Sequence, residues 1–589
     1  MRRHPRVDIK EETKLNADQS ASDLFYSQIV GGTSNFISEI FFLALAAHHY
    51  GSEATIVKLD QLEKDLNHME SQILKFELER HKYVGNPAQL RMFETMLKKY
   101  KDQIDKGFSY KYAVQGVLLD DLSQARSMQF MRYVIVWLLR LVAPGHSFPA
   151  QHLKLPLPAE QPEVFKCLPE YFLEDVVGNF KFIMRQMPQI ITSTQSDELV
   201  MLCITFLRSS EYIKNPYLKS GLITILFHGI WPVYNRSKGI LGDLLKSLPF
   251  ATEHLLHAMM KFYIEVENTG AHTQFYDKFN IRYEIFQIIK CIWSNTIYRE
   301  HLSEEAKVNL DFFVRFVNLL LNDVTFVLDE SLSAFVQIHN LQEELAGSAS
   351  LDQAARTEKE EALAGAQGKA KSYMQLTNET VDMLKLFTDA LAESFTMPEI
   401  VQRLADMLDY NLDAMVGPKS VNLKVENPAE YGFNPKALLA EIIDVYLNLK
   451  DKENFILAVA RDGRSYRRAN FEKATIILKK WGLKSNEELA AWTALGERFK
   501  LAKETDDQAE EDLGEVPDEF LGTSISTHRS HDAGSVMRLT SLTFRSVTGH
   551  SNGRPRHPAH LTQLRRQINH PLNPPERSAR SVQSLAVEN

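Results

Sequence analysis

Helical periodicity constrains this chain more than any other feature of its sequence. Apolar residues recur at steps of three and four, which places them on one face of a helix. One such face is formed by Val381, Leu384, Phe387, Leu391 and Phe395. A second is formed by Leu438, Leu439, Ile442, Ile443, Tyr446 and Leu449. The pattern predicts amphipathic helices over most of the chain.

Signals for helix ends separate these stretches. Asn434-Pro435 combines a capping residue with a proline at the first helical position. Ser485 and Glu488 match a capping box. Prolines and glycines such as Pro144-Gly145 recur at intervals of about one or two helices. Alternating runs typical of strands are short, the best being Ala474–Leu478, and none has a hairpin turn beside it. The sequence therefore predicts an all-α protein.

The length of the chain favours a repeating array of helices. Its 589 residues exceed what one compact core usually holds. Helices in succession with short breaks suit an armadillo/HEAT-like helical solenoid, a superhelical rod. No fixed period can be found, so the repeats would be degenerate. A compact irregular bundle is the alternative, and the length argues against it.

Changes in composition divide the chain into segments. Residues 343–371 are rich in Ala, Glu, Gln, Lys and Gly, which predicts an exposed, charged linker. Residues 504–519 hold nine acidic residues in sixteen, which predicts a solvated hinge. We expect a disordered N-terminal segment (1–20), a first part of the helical-repeat core (21–342), the charged linker (343–371), the C-terminal part of the core (372–503), the acidic hinge (504–521) and a disordered basic tail (522–589).

The charge changes sign after Leu521. Residues 522–589 contain no lysine, and their nine arginines against three acidic residues give +6. The whole chain carries −9, so the remainder carries −15. An acidic body disfavours nucleic-acid binding. The tail has Phe544 as its only aromatic residue and no patterned arginine spacing, so disorder is expected there.

Targeting and cysteine patterns indicate the compartment. No apolar run approaches the roughly 18 residues that span a bilayer, and no apolar region follows the basic N-terminus as in a secretory signal. Cys167, Cys203 and Cys291 lie far apart among apolar neighbours, which excludes a disulfide framework or a CxxC metal site. We expect buried thiols in a reducing compartment, and thus a cytoplasmic or nuclear protein without a membrane partner.

The sequence carries no local signature of nucleotide or zinc-peptidase chemistry, since GxGxxG, GxxxxGKS/T and HExxH are absent. His254 and His257 could ligate a metal from one helix face, but no acidic or cysteine residue has a matching spacing, so surface or groove histidines are expected. His48 and His49 are adjacent, so we expect them to face different sides of a helix. No catalytic, cofactor-binding or metal-ligating residue is assigned, and no cofactor is expected.

Two further stretches have both a functional and a structural interpretation. The run Asp462–Tyr466 could present Ser465 as a nucleophile only beside a base, and none is evident, so a tight interhelical turn is expected. The aromatic-rich stretch Tyr276–Trp293 has helical spacing, so we expect it in the core, with Trp293 buried.

Several long, unusual strings occur in order between about residues 30 and 500. The clearest are MVGPKSVNLKVENPAEYGFNPKALL, within Met397–Leu449, and AVARDGRSYRRANFEKA, within Phe455–Leu478. Others lie in Asn35–Gly51, Asn215–Leu226, Tyr276–Trp293 and Phe316–Gln342. Together they resemble the ubiquitin conjugation factors of the E-four class, the Ufd-two family of ubiquitin-chain elongation ligases.

This resemblance implies a long armadillo-like rod that carries a C-terminal U-box, a small zinc-free relative of the RING finger. A U-box docks a ubiquitin-charged conjugating enzyme and poises the thioester for attack by a lysine of ubiquitin, so its catalysis is positioning. The resemblance also implies a role in ubiquitin-dependent proteasomal degradation. The implied partners of the rod are the hexameric AAA segregase, ubiquitin-shuttle proteins and ubiquitinated substrates.

The chain departs from the family pattern after Gly514–Leu521, which resembles the lead into the U-box. The family continues with an Asp-Pro pair, whereas Gly522-Thr523-Ser524 follows here. Residues 522–589 lack tryptophan and tyrosine and have few large apolar residues. We therefore expect no U-box and a scaffold that does not bind the conjugating enzyme. The front also looks shortened. The family implies ligase activity of the U-box type, whereas the expected loss of the U-box removes the module that docks the conjugating enzyme.

Two other functions remain open from the sequence. A generic helical-repeat adaptor, such as a transport receptor or tether, would share the periodicity and would bind cargo peptides or small GTPases. A metabolic enzyme would need a pocket with convergent polar groups, and no motif supports one.

Overall fold

A computed structural model of the chain describes residues 12–28, 31–145, 148–151, 153–192, 196–233, 236–268, 275–347 and 353–514. These residues are predominantly helical, and their β pairing is limited to the isolated bridges Lys14–Pro169 and Val233–Arg236. The predicted all-α class is confirmed. The chain divides into two compact units, Met1–Asn322 and Asp323–Asn589. No helix in the described ranges is both long enough and apolar enough to cross a membrane.

The α-helices up to the division between the units are α1 (Gln19–Ser27), α2 (Phe36–His48), α3 (Ala54–Glu79), α4 (Pro87–Leu118), α5 (Asp121–Val142), α6 (Glu163–Lys166), α7 (Tyr171–Gln186), α8 (Asp197–Arg208), α9 (Pro216–Gly229), α10 (Gly242–Ser247), α11 (Pro249–Glu265), α12 (Phe275–Ile292) and α13 (Thr296–Val308). The division lies within α14 (Leu310–Gly347). After it come α15 (Gln353–Ala390), α16 (Ala392–Phe395), α17 (Val401–Val416), α18 (Pro435–Asn448), α19 (Glu453–Ala460), α20 (Arg468–Trp481) and α21 (Asn486–Gly514).

Packing in the first unit proceeds in two successions of helices. Helix α7 packs on α9 and α9 on α12, while α8 packs on α11 and α11 on α13. Each helix thus contacts the next of its own succession, and α8 also contacts α9. Such neighbour-to-neighbour contacts are typical of armadillo and HEAT repeats. Helices α3 and α4 form an antiparallel pair whose small core contains Leu66, Ile73 and Ile104.

The second unit follows the same principle. Helix α17 packs on α19 and α19 on α21, and α15 packs on α18. Its centre is an aromatic cluster around Tyr446, whose ring centroid lies 5.5 to 6.1 Å from those of Phe455, Phe471, Trp492 and Phe499. Each of these rings is at most 5% exposed, so the cluster forms a core of its own.

Local sequence signals agree with the structure. The side chain of Asn434 accepts a hydrogen bond from the backbone N–H of Ala437 at 3.2 Å, with Pro435 beginning α18. Ser485 and Glu488 form a reciprocal capping box with distances of 2.7 and 3.2 Å. Every residue of the two predicted apolar faces is buried.

The boundaries of the structure differ from several that composition indicates. Of the segment 1–20, predicted to be disordered, residues 12–20 are ordered because Leu15 is fully buried and its N–H donates to the carbonyl of Leu168. Helix α15 runs through residues 353–371 of the predicted linker, and α21 continues to Gly514 in the predicted hinge. The predicted disordered tail, 522–589, lies outside the described residues.

Candidate functional site

The first unit contains a groove between α3, α7 and α9 with a volume of about 560 Å³. We call it the α3–α7–α9 groove. Its lining includes Glu53 directly before α3, Val57, Asp60 and Lys64 from the start of α3, Glu174, Gly178, Lys181 and Arg185 from α7, and Tyr217 and Leu218 from α9. The α7 residues are spaced by four, three and four, so they form one stripe along the helix that faces the groove.

Gly178, at the centre of the groove, has no side chain and so lets Glu53 approach α7 closely. A Cβ atom at this position would lie 1.9 Å from a carboxyl oxygen of Glu53. Any other residue would therefore displace the Glu53 side chain from the surface of α7. This close approach places Glu53 over the middle of the stripe, between Glu174 and Lys181.

Glu53 is the buried acid of the groove. It ends a single π-helical turn, His49–Glu53, that joins α2 to α3. The residue is 6% exposed, and its Oε2 atom has no hydrogen-bond partner among the described residues. Burial raises its pKa to about 8, and the charges of Asp175, Glu174 and Asp60 add to this effect. The carboxyl is thus held mainly protonated at neutral pH.

Two histidines anchor the π-helical turn. His48 Nδ1 lies 3.4 Å from Asp175 Oδ2, and His49 Nδ1 lies 2.7 Å from Asp175 Oδ1. His48 Nε2 lies 2.9 Å from Ser127 Oγ, which also accepts a hydrogen bond from the Asn179 side chain. The prediction that these adjacent histidines face different sides of an α-helix does not hold, because both rings reach the carboxylate of Asp175. The backbone widens into a π-helical turn at His49, and α7 brings one carboxylate between the two rings.

The basic end of the groove combines one paired and one unpaired cation. Arg185 forms an ion pair with Asp60 across the groove. Lys181 makes no hydrogen bond among the described residues, and burial lowers the pKa of its amine, although the charge of Glu284 opposes this. Glu284 on α12 accepts a hydrogen bond from the Thr224 hydroxyl at 2.9 Å, and burial raises the pKa of its carboxyl to about 7.

The structure places the sequence-predicted histidine pair elsewhere in the first unit. His257 Nδ1 lies 2.8 Å from Glu305 Oε1, and its ring stacks on Phe312. His254 lies edge-on to Phe250. The acidic partner of His257 comes from α13, which spacing along α11 could not indicate. Within the described ranges, no three His, Cys, Asp or Glu side chains are grouped to hold a metal ion.

The remaining candidate residues have structural roles. Asp462 Oδ1 accepts hydrogen bonds from the backbone N–H groups of Arg464 (2.8 Å) and Ser465 (3.2 Å), which confirms the interhelical turn between α19 and α20. Trp293 is buried as predicted, at 9% exposed.

The three cysteines are free thiols. Cys167 and Cys203 are buried, as expected, whereas Cys291 is only half-buried.

Comparisons with known proteins agree on one family. Residues 1–500 match the Ufd2P core family, described as the ubiquitin elongating factor core. The chain is 44% identical over 530 residues to "Ubiquitin conjugation factor E4" of Schizosaccharomyces pombe, covering 89% of this chain and 52% of the relative. It is 34% identical over 549 residues to "E4 ubiquitin-protein ligase UFD2" of Saccharomyces cerevisiae, covering 88% of this chain and 57% of the relative. A third relative, "Probable ubiquitin conjugation factor E4" of Arabidopsis thaliana, is 30% identical over 495 residues, or 82% of this chain and 46% of the relative. The chain thus spans about half the length of these relatives.

Proposed function

We propose a function for this chain from one premise: it belongs to the ubiquitin elongating factor core family. The resemblance carried by Met397–Leu449 and the other strings is thereby confirmed. We infer that the chain supplies the helical scaffold for ubiquitin-chain elongation in ubiquitin-dependent proteasomal degradation. The family match over residues 1–500 carries this proposal, because it extends over nearly all of the described helices. A generic adaptor is not favoured, since the reported relatives all have ubiquitin-pathway names.

The scaffold role follows from how chain elongation works. A ligase that forms no covalent intermediate accelerates transfer by holding the acceptor near the charged conjugating enzyme. Stacked helices with well-packed cores, such as α7, α9 and α12, provide a stiff surface for that purpose. The proposed occupants of this surface are ubiquitinated substrates, the hexameric AAA segregase and ubiquitin-shuttle proteins. We propose a cytoplasmic and nuclear location, where these partners work.

The proposed role excludes the docking of the conjugating enzyme. Residues 515–589, which contain the predicted replacement for a U-box, lie outside the described residues. That no U-box follows Leu521 therefore stays a prediction. We propose that the 589-residue chain, assayed alone, neither discharges a charged conjugating enzyme nor extends a ubiquitin chain.

A reconstituted elongation assay tests both parts. It contains activating and conjugating enzymes, ubiquitin, a ubiquitinated substrate, the segregase and the Schizosaccharomyces pombe relative. The 589-residue chain should give no extension in place of that relative, and in excess it should slow extension by competing for substrate and segregase. Vigorous extension by the chain alone would refute the scaffold-only role. Undiminished extension at large excess would refute the shared partners.

A further inference from the structure

We propose that the α3–α7–α9 groove binds the lysine or arginine side chain of a partner polypeptide, with the carboxylate of Glu53 as its counter-ion. This site is independent of the proposed function, because it is defined by the groove itself and can be tested without ubiquitin. The occupant is a peptide segment, and the groove recognises the positive charge of its central side chain.

One carboxyl oxygen of Glu53 lacks a hydrogen-bond partner among the described residues. The residue lines the groove and is 6% exposed. A buried polar atom without a partner is costly and is rare in folded proteins. Because Glu53 lines the groove, a small rotation of its carboxyl would let a donor group from a ligand satisfy it.

The local charge indicates which donor fits. The groove is lined by five acidic residues and three basic ones. Of the basic residues, Arg185 is already paired with Asp60. Glu174, one turn of α7 from Gly178, makes no hydrogen bond among the described residues and is exposed. The charge of Glu174 therefore attracts a cation to this end of the groove, and the cation in turn favours the ionised form of Glu53.

The shape of the groove suits a long aliphatic stem. Val57 on α3 and Tyr217 on α9 are 59% and 53% exposed and belong to opposite walls. The methylene groups of lysine or arginine pack well against such apolar surfaces while the charged head reaches the acid. A volume of about 560 Å³ leaves room for the flanking peptide backbone.

Binding should release a proton. In the free protein the Glu53 carboxyl is mainly protonated at pH 7, because burial raises its pKa to about 8. The groups around it are Asp60 on α3, Glu174, Asp175 and Lys181 on α7, and His49 on the π-helical turn, which contacts Asp175. When an ammonium or guanidinium group enters, Glu53 loses its proton to the buffer and the ligand keeps all of its own. No other bond forms or breaks.

Calorimetric titration of the 589-residue protein with four peptides tests the site. The peptides are acetyl-Gly-Leu-X-Leu-Gly-amide with lysine, arginine, norleucine or glutamate as X. The lysine and arginine peptides should bind at least tenfold more tightly than the norleucine and glutamate peptides. In buffers of different ionisation enthalpy, the lysine peptide should release close to one proton at pH 7 and far less at pH 9. Equal binding of the norleucine peptide, tighter binding of the glutamate peptide, or no binding of any would overturn the proposal.

Variants identify the counter-ion. Glu53→Gln copies the shape of the protonated carboxyl and should weaken the lysine peptide at least tenfold and abolish proton release. Glu174→Gln, at an exposed position where folding is not at risk, should weaken it severalfold. Glu304→Gln removes an exposed acid of α13, outside the groove, and should leave binding unchanged. Wild-type affinity in Glu53→Gln would contradict the assignment, whatever the effect of Glu174→Gln.

Discussion

The Nδ1 atom of His49 lies 2.7 Å from Oδ1 of Asp175, 126 residues further along the chain. This contact fixes the π-helical turn His49–Glu53 against α7 and so determines where Glu53 stands. Single π-helical turns are uncommon and often occur at functional sites. Here the turn delivers a buried carboxyl to the wall of a groove.

Replacing His49 should reduce stability in a pH-dependent way. Although burial opposes it, the hydrogen bond to Asp175 and the carboxylate charge raise the pKa of His49 above its ordinary value. The charged ring therefore stabilises the folded state below pH 6.5, and this contribution is lost as the pH rises through the folded pKa. His49→Gln should cost on the order of 1 kcal/mol at pH 6 and less at pH 8.5. Chemical unfolding at both pH values measures this loss of stability. His68→Gln, at an exposed position, is the control. An equal loss at both pH values would contradict the ion pair.

Glu53→Gln should stabilise the protein at high pH. The folded pKa of about 8 exceeds the ordinary 4.5, so the unfolded chain ionises first. The contribution of Glu53 to the free energy of unfolding is therefore greatest below about pH 4.5 and is lost as the pH rises through about 8. The amide removes this dependence. The variant should exceed the wild type by on the order of 3 kcal/mol at pH 9 and differ little at pH 5. Urea unfolding at both pH values measures the difference; a variant less stable than the wild type at pH 9 is incompatible with a raised pKa of Glu53 in the folded protein.

Removing the hydroxyl of Tyr446 should destabilise the protein more than replacing the carboxyl of Asp409 with an amide. The Tyr446 hydroxyl donates to Asp409 Oδ1 at 2.5 Å, and Asp409 Oδ2 has no partner in the described structure. Burial raises the pKa of Asp409 well above its ordinary value, against the opposing effect of the Tyr446 hydrogen bond, and so favours the neutral carboxyl in the folded protein. Asp409→Asn should therefore cost less than about 1 kcal/mol, whereas Tyr446→Phe, which strips a buried acceptor of its donor, should cost about 1–3 kcal/mol. Thermal unfolding of both, beside the exposed Tyr133→Phe, tests the order; a reversed order would show that Asp409 is charged.

The two tryptophans Trp293 and Trp481 offer a matched test of burial. Trp293 is 9% exposed, whereas Trp481 is 52% exposed with the Lys436 amine 3.0 Å from its ring centroid. Trp293→Ala should cost on the order of 3–5 kcal/mol through the cavity it leaves. Trp481→Ala should cost about 1 kcal/mol, mainly from the lost cation–π contact. Similar losses in the two variants, measured by denaturant unfolding, would show that the core around Trp293 relaxes.

The sequence predicted the features that depend on neighbours along the chain. The cap at Asn434, the capping box of Ser485 and the buried face from Val381 to Phe387 follow from spacings of three and four residues, which a helix converts directly into contacts. The predicted face continues to Phe395, but the helix breaks at Leu391 and a short helix, α16, carries the last residue. The turn at Asp462 follows from the same kind of local chemistry.

The groove could not be predicted, because its parts are distant in sequence. Glu53 and Gly178 touch only after the π-helical turn packs on α7, and a single sequence carries no record of that pairing. The angular step of an α-helix does not hold in the π-helical turn, so it misplaces the His49 ring relative to that of His48. One available signal was Asp175, a charged residue within the apolar run of α7. An acid at such a position is buried at a cost unless a partner reaches it.

Direct binding to the hexameric AAA segregase tests the central claim of a ubiquitin-pathway scaffold. The 589-residue chain, immobilised and titrated with purified segregase, should bind with a Kd in the micromolar range or tighter, as a specific interface of ordinary size does. The measurement needs neither a U-box nor a conjugating enzyme, so it isolates the helical body. Absence of saturable binding up to about 100 µM, with cargo peptides or a small GTPase binding instead, would contradict the account.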